Sequence, residues 1–184
     1  MQNPIVERLV EGNRRYLTAE RNPGDCSPAL RRETARNGQK PHTIVICCSD
    51  SRVVPESIFS AGLGELFVIR VAGNVLDAHQ LGSIEYAAAH LGCGLIVVLG
   101  HTGCGAVAAA LSGHCEGYIR YIADEILLAA GDERDENVVG RLNVLHAVER
   151  IRQAFREHPE IPTEKLDVRG AIYDIESGEV EWLT

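Results

Sequence analysis

Thr43-Ile44-Val45-Ile46-Cys47 is a β-branched, apolar run with no polar alternation after its first residue. A strand with one wet face alternates, whereas a strand covered on both faces does not. This run therefore predicts a buried strand of a parallel sheet. Leu66-Phe67-Val68-Ile69 and Leu95-Ile96-Val97-Val98-Leu99 repeat the pattern. Between these two, Leu81 to Leu91 suits a helix. Helices are also predicted over Ala106–Leu111 and Glu116–Ala130. Val138, Leu142, Leu145, Val148, Ile151 and Phe155 mark another at spacings of three and four. Strands alternating with helices predict an α/β fold with a mostly parallel sheet. Near the end, Leu166–Tyr173 and Glu179–Leu183 flank Glu176-Ser177-Gly178, which reads as a hairpin. The expected strand order is 2-1-3-4, with strand 5 antiparallel at the edge and helices flanking the sheet.

Upstream, Asn3-Pro4 is an N-cap followed by proline at the first helical position. Ile5, Val6, Leu9, Val10, Tyr16 and Leu17 then give an amphipathic helix over residues 4–19. A polar stretch from Glu20 to Lys40, with Pro23, Gly24 and Pro28, follows it. This N-terminal arm stands apart from the alternating pattern and must bury its apolar face on something, a partner subunit being one candidate. The 184 residues suit a single domain, with 1–40 as helical arm and linker and 41–184 as α/β core.

With 45% hydrophobic and 24% charged residues, the composition is that of a globular protein. A net charge of −8 argues against binding nucleic acid or an anionic membrane. The first residues hold no signal-peptide core, and the apolar runs are too short to span a bilayer, so the cytoplasm is the expected compartment. There the six cysteines (26, 47, 48, 93, 104 and 115) read as metal ligands, nucleophiles or small core residues before disulfides.

Two of them stand where chemistry is expected. Cys48 follows the first strand and His101-Thr102-Gly103-Cys104 follows the third. Ligands of open α/β sheets bind at the carboxyl ends of strands where the strand order reverses, which here lies between strands 1 and 3. Two thiolates and one imidazole suit Zn²⁺, and three protein ligands leave the fourth position that a catalytic site needs. Gly100, Gly103 and Gly105 allow tight turns around such a metal. For His101 and Cys104 alone, a capped histidine and a buried cysteine without metal explain the pattern equally well. Thiolates cancel the zinc charge, so the metal acidifies water less than it would among histidines. Asp50 could orient a zinc-bound hydroxide, and Arg52, two residues on, could pair with Asp50 and hold it ionised and off the metal. An ordinary surface ion pair is the plainer reading of Asp50 and Arg52.

Cys48-Ser49-Asp50-Ser51-Arg52, Gly64-Glu65-Leu66-Phe67-Val68-Ile69-Arg70, Ala72-Gly73-Asn74, Gly82-Ser83-Ile84-Glu85-Tyr86-Ala87 and Gly100-His101-Thr102-Gly103-Cys104-Gly105 together resemble the β-class carbonic anhydrases. The resemblance runs from about Gln39 to Gly170-Ala171-Ile172-Tyr173-Asp174. It implies one zinc per chain and reversible hydration of CO₂ to bicarbonate and a proton, by attack of zinc-bound hydroxide. It makes Asp50 a pH-sensitive gate: paired with Arg52 it leaves the fourth position open, and released it becomes the fourth ligand. It implies that Gln39 reaches the substrate from a neighbouring subunit, and that Phe67, Ala72, Tyr86 and Gly105 line the substrate pocket. His90, with His79 as a rival, would relay the proton. Core packing explains Phe67 and Tyr86 as well, and simple solvation explains the two histidines. The arm and Gln39 imply a homodimer or tetramer. A Trp-x-Gly that marks a regulatory bicarbonate pocket in some bacterial members is replaced here by Val45 and Cys47, which favours the plant-like, open-site subgroup.

Two other readings compete. The same zinc fold serves carbonyl sulfide and carbon disulfide hydrolases. A zinc- or anion-binding module without turnover would use the 100–105 loop at a helix start. Thiol redox chemistry lacks a Cys-x-x-Cys, and Cys47 beside Cys48 should face the opposite way as a core residue.

Overall fold

The computed structural model describes residues 3–19, 21, 24–158 and 166–184. Glu20 and Pro23 of the polar stretch lie outside these. The sheet has five strands: β1 Thr43–Cys47, β2 Leu66–Arg70, β3 Leu95–His101, β4 Asp167–Tyr173 and β5 Val180–Trp182. Their order is β2-β1-β3-β4-β5, as expected from the sequence. The first four are parallel and β5 is antiparallel to β4. β1 and β3 are buried along their whole lengths, which is why neither alternates. Their register runs from Thr43↔Leu95 to Cys47↔Leu99, so both chains emerge from the sheet side by side at its carboxyl edge.

Seven α-helices among the described residues surround this sheet: α1 Pro4–Thr18, α2 Pro28–Asn37, α3 Pro55–Ile58, α4 Ala78–His90, α5 Gly105–Ser112, α6 Ile119–Ala130 and α7 Glu136–Glu157. Ile44, Ile46, Ile96 and Val98 face α4 and α7 on one side of the sheet. Val45, Cys47, Leu95, Val97 and Leu99 face α1 and the α3 region on the other. Cys47 is therefore a core residue, and burial pushes its thiol up to about 12, out of reach of ionisation. Cys48 and Cys104 belong to a third cluster with α5 and α6.

Three features go beyond the sequence expectations, each for a local reason. Helix α2 falls inside what reads as a polar linker. Ser27 Oγ accepts from the Leu30 amide at 3.2 Å and Pro28 starts the helix, but no α2 residue is buried, so no apolar period betrays it. On α7 the buried residues are Val139, Asn143, Val144, Ala147, Val148 and Ile151, while Val138 and Leu145 point outward. The Val144 side of α7 lies close to the backbone of β3 and β4, which glycines permit. A Cβ on Gly100 would stand 2.5 Å from Val144 Cγ2.

The third is the arm, whose packing the sequence left open. Helix α1 packs on its own chain: Leu9 is buried against Val53, Ile58 and Phe59. Gly12 lies so close to Phe59 that a Cβ would meet its carbonyl oxygen at 1.9 Å. Asn13 closes the contact, donating to the carbonyls of Ile58 (3.2 Å) and Gly178 (2.9 Å) and accepting from the Val180 amide at 3.2 Å. One buried side chain thus ties α1 to α3 and to the β4–β5 hairpin. Asn13→Ala leaves three backbone groups unpaired and is expected to cost about 2–3 kcal/mol of unfolding free energy. Denaturant titration measures this. A cost near zero would mean that α1 does not depend on this contact.

Candidate metal centre

Cys48 is the first residue beyond β1, and two backbone amides turn its sulfur inward. The N–H of Gly73 donates to Cys48 Sγ at 3.3 Å and that of Asp50 at 3.4 Å. His101 is the last residue of β3. Its Nδ1 donates to the Thr102 carbonyl at 2.9 Å, which leaves the Nε2 lone pair free to bind. Thr102 is itself held by β4: its amide donates to the Tyr173 carbonyl at 3.0 Å, and its hydroxyl accepts from the Ile175 amide at 3.0 Å. Gly103, at φ +61, makes the left-handed turn that brings Cys104 to the start of α5. Cys48, His101 and Cys104 are all buried, and their ligand atoms lie within 4.8 Å of one another.

His101 Nε2 is buried with no hydrogen-bond partner. An unpaired buried polar atom costs about 1–3 kcal/mol, and here it sits beside two sulfurs. Two sulfurs and one imidazole are a zinc donor set, so the residues present fit that ion. Their acidity agrees. The Cys48 thiol is drawn down, chiefly because the Cys104 thiol donates to it, with burial opposing and the neighbouring His101 ring and the Asp50 and Gly73 amides assisting. Cys104 is pushed up as the donor of that same bond. A divalent cation bound between the two sulfurs would displace the thiol protons.

At the rim, Asp50 and Arg52 make a two-pronged ion pair. Arg52 Nε donates to Asp50 Oδ1 at 3.0 Å and Nη2 to Oδ2 at 2.7 Å, and the Arg52 amide adds a bond to Oδ1 at 2.9 Å. The guanidinium holds the Asp50 carboxyl well below the usual carboxylate range. Arg52 Nη2 also reaches the Gly103 carbonyl at 3.4 Å, and Arg70 donates to the Asp50 carbonyl at 2.8 Å.

A family model described as "Carbonic anhydrase" matches residues 43–180, from the start of β1 to the start of β5. The β-carbonic anhydrase CcaA superposes with a TM-score of 0.72 at 26% identity, over 99% of this chain and 92% of that one. The chain belongs to the β-carbonic anhydrase family. "Carbonic anhydrase 2" of Mycobacterium tuberculosis is 43% identical over 132 residues, covering 67% of this chain. The match spans 63% of that relative's own length. A tetrameric β-carbonic anhydrase of the filamentous ascomycete Sordaria macrospora has a TM-score of 0.62 at 31% identity, over 84% of this chain and 91% of its own.

Of the remaining positions singled out in the sequence, Ala72 and Gly105 adjoin this centre and the others lie apart from it. Ala72 is half-buried in the 3-10 turn Ala72–Asn74, whose Gly73 touches Cys48, and Gly105 is exposed as the first residue of α5. Phe67 is in register with Ile44, well before the carboxyl end of the sheet. Its ring centroid lies 6.3 Å from that of Tyr86, which in turn lies 5.4 Å from that of His90. Tyr86 is half exposed, so these three form an aromatic group on the outer side of β2 and α4. Gln39 is exposed just before β1, at the strand end opposite Cys48. His79 is fully in solvent beside Asp77 at the start of α4. An open cleft of about 1170 Å³ lies against the His101–Cys104 loop, between α1, the start of α7 and the hairpin. None of Gln39, Phe67, Tyr86 and His90 lines it.

Sequence reasoning passed over Gly73, Thr102 and Asn143. The signal for Asn143 is a lone amide in the apolar stripe of α7.

Proposed function

We propose that this chain hydrates CO₂ reversibly to bicarbonate and a proton at one zinc ion per chain, held by Cys48, His101 and Cys104. The observation that carries the reading is the orphaned Nε2 of His101 facing two sulfurs, with an ion-paired carboxylate at the rim. When bound, the zinc supplies the Lewis acidity that makes water nucleophilic near neutral pH. The chain's own residues do the rest. Thr102 and the Gly73 amide orient the ligands, and Arg52 occupies both oxygens of Asp50 and keeps that carboxylate off the fourth position. The Asp50–Arg52 pair supports an open-site reading, in which release by Arg52 would free Asp50 to approach the metal residues.

Gln39, Phe67 and Tyr86 are remote from the metal residues of their own chain, and they would complete the apolar substrate pocket of a neighbouring copy, with Ala72 and Gly105 at the near wall. A homo-oligomer then follows, and the tetrameric Sordaria relative supports it. His90, against Tyr86, and the solvent-facing His79 are the candidates to carry the proton away. No helix among the described residues is long and apolar enough to cross a membrane, and a cytoplasmic site of action fits the unpaired cysteines.

Stopped-flow CO₂ hydration at mildly alkaline pH tests this, with carbonyl sulfide and carbon disulfide hydrolysis run in parallel. The expected result is rapid hydration that disappears on chelation and returns with one zinc per chain. Stoichiometric zinc without hydration would leave a metal-binding module, and faster sulfide hydrolysis would reassign the substrate.

A further inference from the structure

Gly73, which presents its amide to Cys48, has φ +67, and Asn74 after it has φ +45. A non-glycine residue in this left-handed region costs of order 1–3 kcal/mol and persists only where its surroundings hold it. Part of the hold is steric. A Cβ on Gly73 would stand 2.9 Å from Ile126 Cδ1 and 3.1 Å from Ala106 Cβ, so the turn is pressed against α5 and α6. The other part is polar and comes from α7. Asn143 Nδ2 donates to the Gly73 carbonyl at 2.8 Å. Asn143 is 3% exposed and is the one polar residue among those buried on α7. A buried amide in an apolar stripe is costly unless bonded, and a leucine would satisfy the helix pattern better. The bond therefore has a use beyond packing. It grips one side of the Gly73 residue while the other side, its N–H, meets the Cys48 sulfur at 3.3 Å.

We propose that Asn143 is a positioning residue for the metal: through Gly73 it aims an amide N–H at Cys48 and so sets the direction and electron donation of that sulfur. This rests on the reading of Cys48, His101 and Cys104 as a metal site. Outer-shell partners that orient a ligand are typically worth 10- to 100-fold in metal affinity.

Cobalt substitution of the full-length protein tests the proposal, because a thiolate bound to Co²⁺ gives a charge-transfer band that reports on the sulfur itself. In Asn143→Leu the band is expected to move to longer wavelength, since a sulfur with one hydrogen bond fewer gives up electron density more easily. Zinc affinity, read by competition with a chromophoric chelator, should fall about tenfold. Asn143→Ser, too short to reach the Gly73 carbonyl but easier to bury, gives the same reading if the leucine variant does not accumulate folded. Val148→Ala loosens the same helix without touching Gly73, and should lower the unfolding temperature while leaving band and affinity in place. An unmoved band and affinity in the Asn143 variants would overturn the proposal, as would equal shifts in Val148→Ala. A wild-type protein with no sulfur-to-cobalt band would instead overturn the metal reading beneath it.

Discussion

Cys48→Ser is expected to empty the metal site and abolish CO₂ hydration while leaving the fold intact. The fold survives because a serine hydroxyl can accept from the same Gly73 and Asp50 amides that now meet the sulfur. The metal does not, because a hydroxyl that stays un-ionised replaces a thiol whose surroundings lower its pKa, with Cys104 donating to it. The loss of zinc affinity should exceed the roughly 10- to 100-fold that outer-shell changes cause. Zinc analysis after dialysis, with far-ultraviolet circular dichroism as the check on folding, reads both. A folded variant that keeps a full equivalent of zinc would take Cys48 out of the ligand set.

Asp50→Ala should differ in the metal, keeping its zinc while losing hydration. None of the three metal residues is changed, and the bond from Arg70 goes to the Asp50 backbone carbonyl, which alanine retains. What disappears is the carboxylate that Arg52 grips with two nitrogens. A group that orients or relays a proton at the reacting atoms typically contributes 10²–10⁴-fold, so a fall of about 10² in kcat/KM is the expected minimum. Asp50→Asn, which keeps the shape and drops the charge, should fall comparably. Turnover equal to wild type in either variant would reduce the Asp50–Arg52 pair to the surface ion pair that two oppositely charged residues two apart usually form.

The parts of this molecule that could be read from the chain are those decided by residue type and local period. Ile44 to Ile46 and Ile96 to Val98 do not alternate because both faces of their strands are covered, and the parallel sheet follows from strands of that kind alternating with helices. Cys48, His101 and Cys104 stood out because their side chains are zinc donors placed at the ends of two such strands. Features decided by tertiary approach were not legible. Helix α2 buries nothing, so only its Ser27-Pro28 start carried a signal. The docking of α1 depends on Gly12 lying against Phe59 and on the three bonds of Asn13, and no periodicity states which subunit an amphipathic face will cover. Val138 and Leu145 mark the period of α7, yet Gly100 and Gly170 draw the Val144 side of the helix inward. Asn143 is 70 positions from Gly73, and a lone amide in an apolar stripe does not name its partner.

X-ray absorption at the zinc edge of the purified protein is the most direct test of the centre on which everything else depends. The expected spectrum has two sulfurs at about 2.3 Å and one imidazole nitrogen at about 2.0–2.1 Å, with a single further light atom completing four-coordination. A zinc with only oxygen and nitrogen neighbours, or with four sulfurs, would contradict a catalytic site built on Cys48, His101 and Cys104.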